Sequence, residues 1–114
     1  MLPKKLRLPK KEVEKVFKEG KVISGNFLIL KWKNISFPYS LFGVIVPLSF
    51  SKKSSQRNKI KRQIQAILQN LLSKVKEGFE FLLIIKSHKR PASLTCLKKE
   101  IIFLFKKGGF LKND

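Results

Sequence analysis

The chain has 114 residues, and its 26 Lys and Arg against 7 Asp and Glu give a formal charge of +19 at pH 7. A hydrophobic fraction of 43% is too high for a disordered tail, so length and composition predict one folded domain over 1–114. No apolar run reaches the ~20 residues that span a bilayer, and no apolar signal region follows the first charges. We therefore expect a cytoplasmic protein.

The chain is poor in the side chains that most enzymes use for catalysis. His88 is the only histidine, and Cys96 is the only cysteine, which excludes an internal disulfide and a Cys-rich zinc site. The acidic residues lie in helix and strand patterns that explain them as solvated charges. They do not form the carboxylate clusters that two-metal nucleases and glycosidases need. The sequence predicts a binding protein without an active site of its own.

The positive charge predicts a polyanionic partner, because self-repulsion destabilises a folded domain of this charge until a partner neutralises it. Nucleic acid is the first candidate for this partner. An anionic membrane surface would favour a long helix with one basic face and one bulky apolar face. The cations of this chain are spread over its whole length, so we expect no membrane contact.

Hydrophobic periodicity, together with Gly and Pro signals, divides the chain into a basic arm, six regular elements and a short tail. In chain order these are the arm 1–8, a helix over 10–19, a strand over 21–33, a strand over 41–46, a helix over about 55–76, a strand over 79–85, a helix from the cap Ser93 to Lys107, and the tail 110–114.

The sequence pattern predicts a small sheet of three or four strands. The strand over 21–33 is interrupted by a turn or bulge at 24–26, and we expect it to form an antiparallel hairpin with the strand over 41–46. A short further strand can form near Phe50. The long helix then connects two strands as a crossover unit, which is normally right-handed. The predicted fold class is α+β in two layers, in the order α-β-β-(β)-α-β-α.

The first two turns of the long helix carry cations where helix electrostatics disfavours them. Its apolar stripe contains Ile60, Ile64, Ile67, Leu68, Leu71, Leu72 and Val75. The other face carries two polar rows, which are Arg57, Lys61 and Gln65 in one and Asn58 and Arg62 in the next. Free backbone N–H groups and cations at one helix start predict a phosphate site. The alternative is a solvated charged face without a ligand.

The run Arg57-Asn58-Lys59-Ile60-Lys61-Arg62 opens a long helix after a basic, Ser-rich loop. It resembles the arginine-asparagine-arginine signature of the bacterial ribonuclease P protein component. The first helix ends in Val16-Phe17-Lys18-Glu19-Gly20, and Phe42-Gly43-Val44 lies in the second strand, as this family has them. The resemblance covers nearly the whole chain, so 1–114 is expected to be one RNA-binding domain of this type.

The resemblance implies an accessory subunit of the ribonucleoprotein endonuclease that removes the 5′ leader from precursor tRNA. Its implied partners are the catalytic RNA and precursor tRNA with its leader, and no DNA. The RNA would carry the chemistry and hold the Mg²⁺ ions, which agrees with the scarcity of carboxylates in the chain. The resemblance also implies a left-handed crossover through the motif helix, against the usual rule.

Two groups of site residues follow from the resemblance. The RNA-binding group comprises Lys52, Lys53, Arg57, Asn58, Lys59, Lys61, Arg62 and Gln65. The group that lines a cleft for the leader, between the first helix and the sheet, comprises Val13, Phe17, Phe27 and Leu30. In such a cleft unpaired bases stack on aromatic side chains, while cations neutralise phosphates without reading sequence.

The chain departs from the family pattern at four places. Lys59 replaces an arginine, which keeps the charge but loses the planar fork. Val13 stands where a second cleft aromatic is common, and Gln65 stands where another arginine is common. Leu48-Ser49 replaces a lysine pair, whose role Lys52 and Lys53 can take over. The alternative function is that of a ribosomal or other structural RNA-binding protein with no role in processing.

Overall fold

The computed structural model describes residues 3–86 and 93–112. These residues form three α-helices and four β-strands. In chain order they are α1 (Lys10–Glu19), β1 (Lys21–Ser24), β2 (Leu28–Asn34), β3 (Leu41–Ile45), α2 (Ser54–Leu71), β4 (Phe79–Ile85) and α3 (Leu94–Lys107). The α+β class is confirmed, and the predicted bounds of α1 and β4 are those of the structure. The basic loop that contains His88 lies outside the described residues.

The strands form one mixed sheet in the order β1-β2-β4-β3. Both pairs that involve β2 are antiparallel, whereas β3 and β4 run parallel, as the crossover through α2 requires. The prediction of a hairpin between the strands over 21–33 and 41–46 is wrong. The interruption at 24–26 is itself a hairpin turn, and β4 separates β2 from β3. Five of the seven β4 residues are buried, so this most apolar strand takes a central place in the sheet.

Two local predictions need correction. The segment near Phe50 is a short 3₁₀ helix over Leu48–Phe50 rather than a strand, and it brings the Phe50 ring into the core at 5% exposure. The long helix ends at Leu71 and continues only as a 3₁₀ turn over Leu72–Lys74.

Both ends of the described chain are held by packing. Leu8 is 8% exposed, and its backbone N–H donates to the Phe42 carbonyl at 2.8 Å, so the end of the predicted basic arm is docked beside β3. Phe110 is 2% exposed, and its ring centroid lies 4.9 Å from those of Trp32 and Phe81. The predicted tail therefore begins with a core residue.

The helices cover both faces of the sheet, unequally, so the structure has three layers rather than the predicted two. Helices α2 and α3 pack on one face and enclose the main core, to which β2 contributes Leu28 and Leu30. Helix α1 covers the other face over a smaller core that contains Val16 and Leu82. Because successive strand side chains point to opposite faces, the residues of β2 divide between the two faces of the sheet.

A buried acid fixes α3 to the β1–β2 turn. Glu100 is 7% exposed, and its carboxylate accepts backbone hydrogen bonds from Asn26 at 2.8 Å, Phe27 at 2.6 Å and Leu28 at 2.7 Å. The helix begins as predicted, because the Ser93 hydroxyl oxygen accepts from the Cys96 N–H. The expectation that all acids are solvated is wrong for Glu100 and also for Glu80, which is 2% exposed.

Candidate nucleic-acid interface

The basic residues at the start of α2 lie on the outer side of the helix. Five apolar residues hold the inner side in the core, and they are Ile60, Ile64, Ile67, Leu68 and Leu71. Of the eight predicted RNA-binding residues, six are exposed, namely Lys52, Lys53, Asn58, Lys59, Lys61 and Arg62. Arg57 and Gln65 are half-buried. The structure thus brings the predicted group together on one rigid element and its preceding loop.

Local hydrogen bonds shape the start of α2. The Arg57 Nη1 donates to the Ser51 carbonyl at 2.7 Å, and the Ser51 hydroxyl donates to the Gln56 Oε1 at 2.6 Å. These bonds hold the loop before α2 against its first turn. The Arg62 Nε donates to the Asn58 carbonyl at 3.3 Å, which directs the guanidinium toward the start of the helix. Its terminal nitrogens form the fork that binds phosphate in a bidentate manner.

The electrostatics of this helix start favour an anion. The N-cap residue is Lys53, no side chain caps the helix, and the first turn contains no acid. The sequence has no Asp or Glu between Glu19 and Glu77. In the part of the chain that the structure describes, the ion pairs join Lys15 to Glu12, Lys33 to Glu19 and Lys112 to Glu77, all away from α2. The positive end of the helix dipole therefore adds to cations that have no acidic partner there.

A second surface lies beside α1. The Phe17 side chain is 48% exposed, and the Lys31 Nζ lies 4.0 Å from its ring centroid and donates to its carbonyl oxygen at 2.7 Å. Val22, which is 54% exposed, is the register partner of Lys31 and so lies on the same face. Val13 is half-buried against the smaller core. Phe17, Val22 and Lys31 form what we call the α1 face, with an exposed ring, an apolar side chain and a cation.

Two predicted cleft residues lie elsewhere. Leu30 is 0% exposed within the main core, so it faces α2 and α3 rather than α1. Phe27 packs against the same core and lines a groove beside α3. Sequence reasoning missed Lys31 and Val22. The alternation of β2, with buried Leu28 and Leu30 flanking Ile29 and Lys31, is the signal that could have found Lys31.

A carboxyl group with an unusual pKa lies beneath α1. Glu80 is 2% exposed, and its Oε1 has no hydrogen-bond partner among the described residues. The pKa of Glu80 is raised to about 7, chiefly by burial and then by the neighbouring Glu12 carboxyl, while Lys33 and Lys15 oppose the shift. The sheet under α1 therefore carries a group that titrates near neutral pH.

None of the helices within residues 3–86 and 93–112 has both the length and the apolar character that a membrane span needs. Over the same ranges, no three His, Cys, Asp or Glu side chains gather in a way that could hold a metal ion.

A small α+β domain whose longest helix starts with cations that have no acidic partner among the described residues fits the class of nucleic-acid-binding proteins. A family model described as Ribonuclease P matches residues 2–109. The ribonuclease P protein component of Syntrophomonas wolfei is 33% identical over 118 residues, which cover 100% of this chain and 96% of that protein. The ribonuclease P protein component of Synechocystis is 30% identical over 112 residues, which cover 96% of this chain and 90% of that protein.

Solved structures agree on the fold. The RNase P protein of Staphylococcus aureus has a TM-score of 0.83 at 15% identity and covers 94% of this chain and 98% of its own. The protein from Thermotoga maritima has a TM-score of 0.80 at 24% identity and covers 89% and 96%. The chain belongs to the ribonuclease P protein family. It is a protein subunit of the endoribonuclease that matures the 5′ end of tRNA, and not a structural RNA-binding protein without a processing role.

Proposed function

We propose that the start of α2 binds the catalytic RNA of ribonuclease P and that the α1 face binds the 5′ leader of precursor tRNA. The observation that carries this proposal is the start of α2, which has no acid and no side-chain cap and presents exposed Asn58, Lys61 and Arg62 from a helix anchored in the core. Because the helix is already ordered, phosphate binding costs little backbone entropy.

Each polar residue at the start of α2 has a role that its chemistry supports. Arg62 makes a bidentate contact with phosphate, while Lys59 and Lys61 neutralise phosphates as point charges. Arg57 holds the preceding loop and so positions Lys52 and Lys53. The amides of Asn58 and Gln65 hydrogen-bond to RNA groups along the two rows of the helix.

The α1 face suits a strand without fixed structure. Phe17 stacks on an unpaired base, and Lys31 beside its ring neutralises a neighbouring phosphate. Val22 and Val13 add apolar contact. None of these groups reads a base edge in a fixed geometry, so this surface accepts leaders of different sequence.

We assign Mg²⁺ to the RNA subunit rather than to the protein. The donors at the start of α2 are ammonium, guanidinium and amide groups, and the cationic ones repel a divalent cation. When bound by RNA, Mg²⁺ supplies the activation of the attacking water. The protein contributes neutralised phosphates, which lets the RNA and its substrate approach each other at low Mg²⁺ concentration. Action in the cytoplasm, with these RNA partners, is part of the same proposal.

The proposal is tested by reconstitution with a transcribed bacterial ribonuclease P RNA at low Mg²⁺ concentration. The purified protein alone should cleave nothing, and adding it should restore removal of the leader. Arg62→Ala should lower this activity at least tenfold, because it removes a charge-assisted contact. Lys112→Ala, which removes only a cation paired with Glu77, should have little effect. Equal effects of the two substitutions would contradict the assignment to α2.

A further inference from the structure

A groove of about 680 Å³ lies between α3 and the β1–β2 turn. Phe27 forms part of its wall from the turn, and Cys96, Lys99, Phe103 and Lys107 form part of it from α3. We call it the α3 groove. It lies on the face of the sheet that α2 and α3 cover, away from Phe17 and the α1 face.

The charge of the α3 groove is positive. Glu100 is the acid in its wall, and its carboxylate already accepts three backbone hydrogen bonds at 2.6–2.8 Å. Lys99 and Lys107 stand two turns apart on α3, and among the residues that the structure describes neither takes part in an ion pair. The two ammonium groups are therefore available to an anionic ligand that spans the groove.

An exposed aromatic ring lies between these two lysines. Phe103 is 54% exposed although most phenylalanines of the described chain pack in or against the core. The Lys107 Nζ lies 5.7 Å from its ring centroid. A ring flanked by cations matches a segment of single-stranded nucleic acid, because the base stacks on the ring while the flanking phosphates meet the cations.

The helix that lines the α3 groove adjoins α2 at its start. Lys59 and Gln63 of α2 line a shared hollow with Leu94 and Leu97 of α3, so the two helix starts adjoin. An RNA that docks on Lys59 and its neighbours can extend along α3 to Phe103. The leader surface lies on the opposite face of the sheet, so the adjoining polynucleotide is the catalytic RNA.

We propose that the α3 groove binds an unpaired nucleotide of the catalytic RNA, with its base on Phe103 and its flanking phosphates on Lys99 and Lys107. This inference rests on the proposed function of α2. It adds a second contact on the same RNA.

The test measures binding of the full chain to a transcribed bacterial ribonuclease P RNA. Phe103→Ala should weaken binding about tenfold, and Phe103→Tyr should bind within about twofold of the unchanged chain because the ring remains. The double variant Lys99→Ala/Lys107→Ala should reduce the log–log salt slope by about 1.4. Its matched control, Lys98→Ala/Lys106→Ala, removes two exposed lysines of the same helix that do not line the groove. The control should change binding less.

Each other outcome has a definite meaning. If Phe103→Ala binds like the unchanged chain while Arg62→Ala binds weakly, the groove has another occupant and the inference is wrong. If both variants bind like the unchanged chain, the proposed function of α2 fails as well. If Phe103→Ala weakens binding of leader-bearing precursor tRNA but not of the RNA subunit alone, the groove binds the substrate. That result would overturn the assignment to the catalytic RNA. If the two lysine double variants lose equal affinity for the RNA, the charge of α3 acts without a defined site, and the assignment of Lys99 and Lys107 is wrong.

Discussion

The two faces of the sheet carry different kinds of polar surface. On the face covered by α2 and α3, the cations of α2 stand on a helix that five buried residues fix in place, and the buried acid Glu100 is fully engaged by backbone N–H groups. On the α1 face, Lys31 contacts Phe17, and the nearby Glu80 is buried with one carboxylate oxygen that has no hydrogen-bond partner among the described residues. In the proposed function the first surface binds the folded catalytic RNA, and the second binds the flexible leader.

The two buried acids give the sharpest test of this comparison. Glu100→Ala should lower the free energy of unfolding by about 3 kcal/mol, because it removes an acceptor from three buried backbone donors. Chemical denaturation measures this change. Glu14→Ala removes an exposed acid of α1 and should have little effect. A loss for Glu100→Ala no larger than that of the control would mean that the carboxylate does not hold α3 to the turn.

Glu80→Gln should raise the free energy of unfolding at neutral and alkaline pH, whereas Glu100→Ala lowers it. The pKa of Glu80 rises from 4.5 to about 7 on folding, so the folded chain binds more protons than the unfolded chain between these values. The contribution of Glu80 to the free energy of unfolding therefore falls as pH rises from about 4.5 to 7, and it is constant above that range. Glu80→Gln should be more stable than the unchanged chain at pH 8, by roughly 2 kcal/mol, and nearly equal at pH 4. Unfolding curves across this range measure the difference, and a pH-independent difference would refute the buried-proton account.

Phe17→Ala should separate the two surfaces by function. We expect about fivefold weaker binding of precursor tRNA with a leader, because one base loses its stacking partner. Binding of leaderless tRNA and of the catalytic RNA should not change, since these contacts lie elsewhere. Phe37→Ala removes another exposed ring as the control. Equal weakening with and without the leader would show that Phe17 does not contact it.

The smallest expected effect is a gain in RNA affinity from a substitution on α2. Gln65 is half-buried in the row that contains Arg57 and Lys61. Gln65→Arg should strengthen binding to the catalytic RNA about threefold and steepen the log–log salt slope by about 0.9, because one more phosphate is neutralised. Titrations at several salt concentrations measure both quantities. An unchanged slope would mean that the RNA surface ends before Gln65.

Local patterns predicted most elements and part of the site. Helix α1 between Pro9 and Gly20, the Ser93 cap of α3 and the strand Phe79–Ile85 all follow from neighbours in sequence. The position of Arg62 and its neighbours outside the core follows from the stripe that includes Ile60 and Ile64, because helical periodicity determines both faces at once. The surface beside α1 was predicted less well, since Leu30 was assigned to the wrong face of the sheet and Lys31 was missed.

The sequence by itself determined the charge, the helix periods and the family to which the chain belongs, since each is a property of residue types and their spacing. Only the tertiary structure decided that β4 lies between β2 and β3, that Glu100 receives the turn at 26–28, and that Phe110 completes the core. The physical reason is that these contacts join residues far apart in the chain. Their free energy depends on how the whole apolar surface is buried, and no local propensity encodes that.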